Sequence, residues 1–148
     1  MDVRTIPRSR TNPQYNEDVL PGALGPFQVG YRRINELGGL RGKSPRVDPQ
    51  VNGWWENRSF HNYADYALSE GFEAGLEQLE ELADDHRVAI MCSEAVWWRC
   101  HRRIIADYLL QRGREVFHLM GEKKVEPASL TAAARPSDGH LIYPADQA

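Results

Sequence analysis

No apolar run in this 148-residue chain reaches the roughly 18 residues that a bilayer span requires, and its first residues lack the apolar core of a signal peptide. These absences argue against membrane insertion and export, and predict a cytoplasmic protein. Cysteine is scarce. Cys92 and Cys100 are the only two, too few for a disulfide framework, so both are expected as thiols. Excess positive charge is missing as well: 18 Lys and Arg stand against 21 Asp and Glu, for a net charge of −3. Attraction of the whole molecule to nucleic acid is therefore not expected, although a local basic patch could still bind it. The chain also has no internal repeat.

What is present suits one globular domain, with 41% hydrophobic and 26% charged residues. Residues 1–7 read as a short strand ended by Pro7, and 8–16 as a polar loop. Asn16 can cap a short helix over 17–24, which Pro21-Gly22 should kink. Residues 29–34 read as a second strand, followed by a turn at Leu37-Gly38-Gly39. Residues 40–60 read as a long ordered loop, because Trp54, Trp55 and Phe60 need burial; loops of this length are often functional. A short helix is expected over 61–68. A longer one spans 70–84, with Phe72, Leu76, Leu79 and Ala83 on one face and an acidic, solvated remainder. Val88 to Met91 is continuously apolar, as in a strand buried on both faces. Helix 97–112 and strand 115–120 would complete a right-handed βαβ unit. Residues 121–148 are expected to run over the surface, with a weakly ordered end. The predicted fold class is therefore α/β: a three-layer, mostly parallel sheet flanked by helices, Rossmann-like.

Such a sheet binds ligands beyond the carboxyl ends of its strands. Three polar clusters follow predicted strands: Arg8-Ser9-Arg10, then Glu36 to Arg41, then Cys92-Ser93-Glu94 leading to Arg99, Cys100, His101 and Arg102. A helix starting near residue 97 would present free amides and partial positive charge to an anion. The same place would lower the pKa of a nearby thiol from its usual value of about 8.5. His101 could donate, or act as general acid or base. A cysteine-phosphatase loop fits poorly, since six residues rather than five separate Cys92 from Arg99 and none is a glycine. A metal site is not expected: adjacent Cys100 and His101 would point about 100° apart on a helix. Nor is any cofactor predicted. Asp2 and Arg4 share one face of their strand and could pair. The four tryptophans could stack on bases, though such residues are more often core or pocket wall.

Together, DVRTIPRSRTNPQYN at 2–16, ELGG at 36–39, Tyr63-Ala64-Asp65-Tyr66 and CSEAVWWRCHR at 92–102 resemble the domain-of-unknown-function 488 family of bacteria and archaea. The resemblance implies a compact α/β domain whose motifs gather at one site; it supplies no reaction. Relatives usually carry a further strand and helix with a Thr-Ile-Gly-His-Ser-like motif before the Asp-Val-Arg segment. This sequence lacks that unit, so a misassigned start, an N-terminal truncation or completion by a partner is expected.

The leading expectation is an enzyme, or enzyme-like domain, acting on a phosphorylated or nucleotide-like ligand. Arg4, Arg8, Ser9, Arg10 and Arg102 would hold the anion. Glu94 and His101 would manage protons, with Cys92 as a nucleophile or simply a wall of the pocket. Asp2, Gly38, Gly39, Tyr63 and Cys100 would shape the pocket. The alternatives are a nucleic-acid binding module using the same arginines, and a non-catalytic remnant acting as an interaction protein, whose exposed sheet edge a homodimer could cover.

Overall fold

A computed structural model describes residues 1–145. It contains four α-helices, Leu20–Leu24 (α1), Arg58–Tyr66 (α2), Glu70–Asp85 (α3) and Arg102–Gln111 (α4). Four short strands follow: Phe117–Leu119 (β1), Val125–Pro127 (β2), Arg135–Ser137 (β3) and His140–Ile142 (β4). β1 pairs antiparallel with β2, and β3 with β4, as two separate hairpins. The expected three-layer, mostly parallel sheet is therefore corrected: among the described residues the only sheets are these two.

The reason lies in how little ladder each predicted strand forms. Asp2 makes single parallel bridges to Arg33 on one side and Met91 on the other. Asp2 N donates to Arg32 O (2.8 Å), Ile34 N to Asp2 O (3.0 Å) and Val3 N to Met91 O (3.0 Å). Beyond that rung Arg4 folds its side chain back onto Asp2, and Pro7 has no N–H to offer. The run 88–91 is not buried on both faces; Ala89 is exposed, and Val88 and Ile90 are half-buried. The expected strand at 115–120 joins a local partner instead. Gly121, at φ 144°, helps turn the chain back so that His118 pairs with Glu126. Closing so short a loop costs less entropy than a distant parallel pairing.

Helix prediction fares better because its causes are local. In α3, the Ser69 hydroxyl accepts from Phe72 N, and Phe72, Gly75, Leu76 and Leu79 are buried at helical spacing. Its acidic face is not simply solvated. Arg112 grips Glu73 and Glu80 at 2.7 and 2.8 Å, and Arg114 reaches Asp84 at 2.8 Å. In α2, Asn57 caps the first turn by accepting from Ser59 N and Phe60 N. The core joins Val3, Ile34, Leu37, Tyr63, Phe72, Leu76, Ile104, Ile105 and Tyr108. It also takes Ala133, Ala134, Leu141 and Tyr143 from the C-terminal segment, which therefore does more than run over the surface. Tyr143 donates to the buried Asp107 carboxylate (2.9 Å), which also accepts from Thr131 N. The weakly ordered end expected at the C-terminus falls, for 146–148, outside the described residues.

Asp2 is wholly buried and Arg4 nearly so. Arg4 Nε and Nη2 donate to the two carboxylate oxygens at 2.9 and 2.7 Å, and Tyr31 also donates to the carboxylate. Burial alone would raise the Asp2 pKa, but the hydrogen bonds from Arg4 and Tyr31 outweigh it and hold the carboxyl below its usual value of 3.8. The stabilisation is therefore complete above that value and is lost as pH falls through the lower, folded-state one. Replacing Asp2 by Asn would strand the Arg4 charge. In urea unfolding at neutral pH, D2N is expected to cost about 3–5 kcal/mol, with the gap from the parent narrowing as pH drops below the ordinary carboxylate range.

Candidate functional site

The segment 92–102 does not enter its helix where the sequence suggests. Residues Trp97–Arg99 form a 3₁₀ turn, Cys100 is extended (φ −127°, ψ 148°), and α4 begins only at Arg102 with His101 as its N-cap. Cys100 is thus outside the helix with extended backbone, while His101 already has helical backbone angles (φ −58°, ψ −15°). Their side chains converge rather than diverge, with Cys100 Sγ 3.5 Å from His101 Nδ1. The sulfurs of Cys92 and Cys100 are in direct contact, placed to pair as a disulfide, where two separate thiols are expected from the sequence.

His101 is held from several sides. Its Nε2 lies 2.8 Å from the Val3 carbonyl, which can only accept, so Nε2 carries the proton and Nδ1 presents a lone pair. The imidazole packs against the ring of Tyr63 at 4.9 Å, and Tyr63 donates its hydroxyl to Leu37 O at 2.8 Å. Burial pushes the His101 pKa down to about 4, and the Arg102 and Arg41 charges add to the effect, against the hydrogen bond to Val3. The ring is therefore neutral at physiological pH, with no proton on Nδ1. Gly39 explains how it fits. A Cβ at residue 39 would lie 2.7 Å from His101 Cε1 and 2.8 Å from Cγ. Gly38 is equally crowded, with Thr5 Oγ1 2.5 Å from where its Cβ would stand.

The sulfurs are surrounded by N–H donors. Glu94 N lies 3.2 Å from Cys92 Sγ, and Arg102 N and Nε lie 3.4 and 3.3 Å from Cys100 Sγ. The Arg102 Nη2 donates to Glu94 O at 2.7 Å, tying the loop to the start of α4. An open cavity of about 420 Å³ lies over this cluster. Arg4, Gly39, Cys92, Glu94, Cys100 and His101 line it, as do Arg99, Ser93, Thr5, Ile6, Leu40, Asn57, Ser59 and Phe60.

The other residues singled out from the sequence lie elsewhere. Asp2 stands behind Arg4, Tyr63 behind His101 and Gly38 behind Gly39, while Arg102 is turned to Cys100 and Glu94. The Arg8-Ser9-Arg10 loop lines no part of the cavity. Arg8 is exposed and 3.6 Å from Glu17, Arg10 is exposed, and Ser9 accepts from Asn12 N. Arg4 faces the cavity, but its guanidinium is occupied by Asp2 and Tyr15 O. Of the tryptophans, Trp55 stacks on Phe60 and Trp97 on His118, while Trp98 stays partly exposed. Sequence reasoning missed the apolar wall of Ile6, Leu40 and Phe60. Phe60 is marked in the sequence only as an aromatic that needs burial, and Ile6 lies outside the 40–60 loop altogether. No helix among the described residues is long and apolar enough to cross a membrane.

Comparison with known proteins matches residues 1–109 to the family described as Domain of unknown function DUF488, and the chain belongs to that family. Neither the curated proteins nor the solved structures gave a match.

Gly39→Ala tests how His101 is seated. Overpacking at this contact is expected to cost about 1–3 kcal/mol in urea unfolding. A variant as stable as its parent would mean that the ring does not rest against residue 39.

Proposed function

We propose that this family member is an enzyme or enzyme-like domain that takes a phosphorylated, nucleotide-like ligand in the cavity over Cys92, Cys100 and His101. One observation carries the reading: apolar and polar side chains line the same cavity. Ile6, Leu40 and Phe60 form an apolar wall, which suits a flat base. Ser93, Glu94, Arg99 and His101 supply the polar part. Its volume of about 420 Å³ falls within the ordinary range for small-molecule sites.

The site lies among loops, not at the edge of a parallel sheet. Arg99 is the exposed cation on its rim and takes the role that the sequence suggested for Arg8 and Arg10. Glu94 offers a carboxylate and His101 an unprotonated Nδ1, 3.5 Å from Cys100 Sγ, as proton acceptors. Cys92 is the less buried of the two sulfurs and the better placed to meet a ligand.

Calorimetric titration with adenosine monophosphate, ribose 5-phosphate and inorganic phosphate tests this. Saturable binding is expected for the nucleotide, weakened roughly tenfold or more by Arg99→Ala, in keeping with the loss of one charge-assisted hydrogen bond. Absence of binding by all three compounds, or an Arg99→Ala variant that binds as the parent does, would sink the reading.

A further inference from the structure

We propose that Cys92, Cys100 and His101, once the two sulfurs are reduced, bind a single thiophilic divalent cation of the zinc type. The three ligand atoms, two Sγ and His101 Nδ1, lie within 4.8 Å of one another. Zinc–sulfur and zinc–nitrogen bonds of about 2.3 and 2.05 Å at a tetrahedral angle put S and N about 3.6 Å apart. Cys100 Sγ and His101 Nδ1 are 3.5 Å apart, so one edge of the tetrahedron is already built.

The surroundings match what a metal ligand needs. His101 donates Nε2–H to the Val3 carbonyl at 2.8 Å, which fixes the tautomer and aims the lone pair of Nδ1. Metal-binding histidines are commonly oriented by such an outer hydrogen bond. The N–H donors from Glu94 to Cys92, and from Arg102 to Cys100, favour negative charge on sulfur. Two thiolates and a neutral imidazole balance a divalent ion. All three residues line the cavity, so the fourth position opens onto it and is filled by water or ligand. Three protein ligands with one open position is the arrangement of reactive zinc sites, in contrast to closed structural ones.

The chemistry balances without redox change at the metal. A dithiol reductant delivers two electrons and two protons to the disulfide and becomes a cyclic disulfide itself. Cation binding then displaces one proton from each thiol.

This inference shares its cavity with the nucleotide reading but needs no nucleotide, and its test is run without one. The full chain is reduced, freed of reductant under anaerobic conditions, and titrated with cobalt(II) as a spectroscopic stand-in for zinc. We expect uptake of about one cobalt per chain, with sulfur-to-cobalt charge-transfer bands and tetrahedral visible bands, displaced by zinc. Zinc should also protect both thiols from a disulfide reagent until a chelator is added. Cys92→Ser, at the half-exposed position, and His101→Asn should each weaken uptake at least tenfold while circular dichroism stays unchanged. Cobalt uptake no greater than in a Cys92→Ser, Cys100→Ser double variant, or bands without sulfur character, would overturn the proposal. So would thiols that react equally fast with and without zinc, a result the wild-type chain gives whether or not a variant folds. Metal uptake without nucleotide binding would uphold this inference and sink only the function proposed above.

Discussion

The buried Asp2–Arg4 pair and the backbone around it organise the molecule. Asp2 meets residues 32–34 through its own N–H and carbonyl, and Val3 and Met1 meet Met91 on the other side. The Asp2 carboxylate closes on Arg4 and Tyr31, and Arg4 extends to Tyr15 O. One residue further, the Val3 carbonyl holds His101. Then the Thr5 hydroxyl accepts from Leu40 N. Four successive residues thus tie down Tyr15, residues 31–34, Leu40, Met91 and His101, and of these Leu40 and His101 line the cavity. A buried ion pair gives little net stability against an apolar replacement. Its geometry is directional, however, and direction is what a site assembled from loops requires.

How much of this was legible in the sequence depends on the range of the forces involved. The helix at 70–85 was readable because its apolar stripe, Phe72, Leu76 and Leu79, lies within one local stretch. Family membership was readable because the segments at 2–16, 36–39, 63–66 and 92–102 carry specific residues in order. The sheet was misread because apolar runs such as Val88 to Met91 report burial but not partner or ladder length. The βαβ reading failed at Gly121, whose local turn gave residues 117–119 an antiparallel partner.

Charge was harder still to read. Arg4, Arg8 and Arg102 look interchangeable in sequence, yet each meets a different partner: a buried carboxylate, a surface glutamate, and a carbonyl with a sulfur. A guanidinium already satisfied within the chain has few donors left for a ligand. Arg99 lies in the same run but falls on the exposed rim. The apposition of Cys100 and His101 was hidden for a related reason. It depends on α4 starting two residues after Cys100, and helix starts are poorly defined by pattern alone.

The hydrogen bond from His101 to Val3 joins residues 98 positions apart, whereas the two sulfurs are eight positions apart. Loop-closure entropy grows with the logarithm of that separation, so the longer contact costs about 2 kcal/mol more to close. In a chain emerging residue by residue, the cysteines can therefore find each other soon after residue 100 is made. The imidazole takes its place only when the amino-terminal stretch docks. On closure entropy alone the sulfur contact is the easier to form, and a seated His101 reports that the amino-terminal stretch has docked.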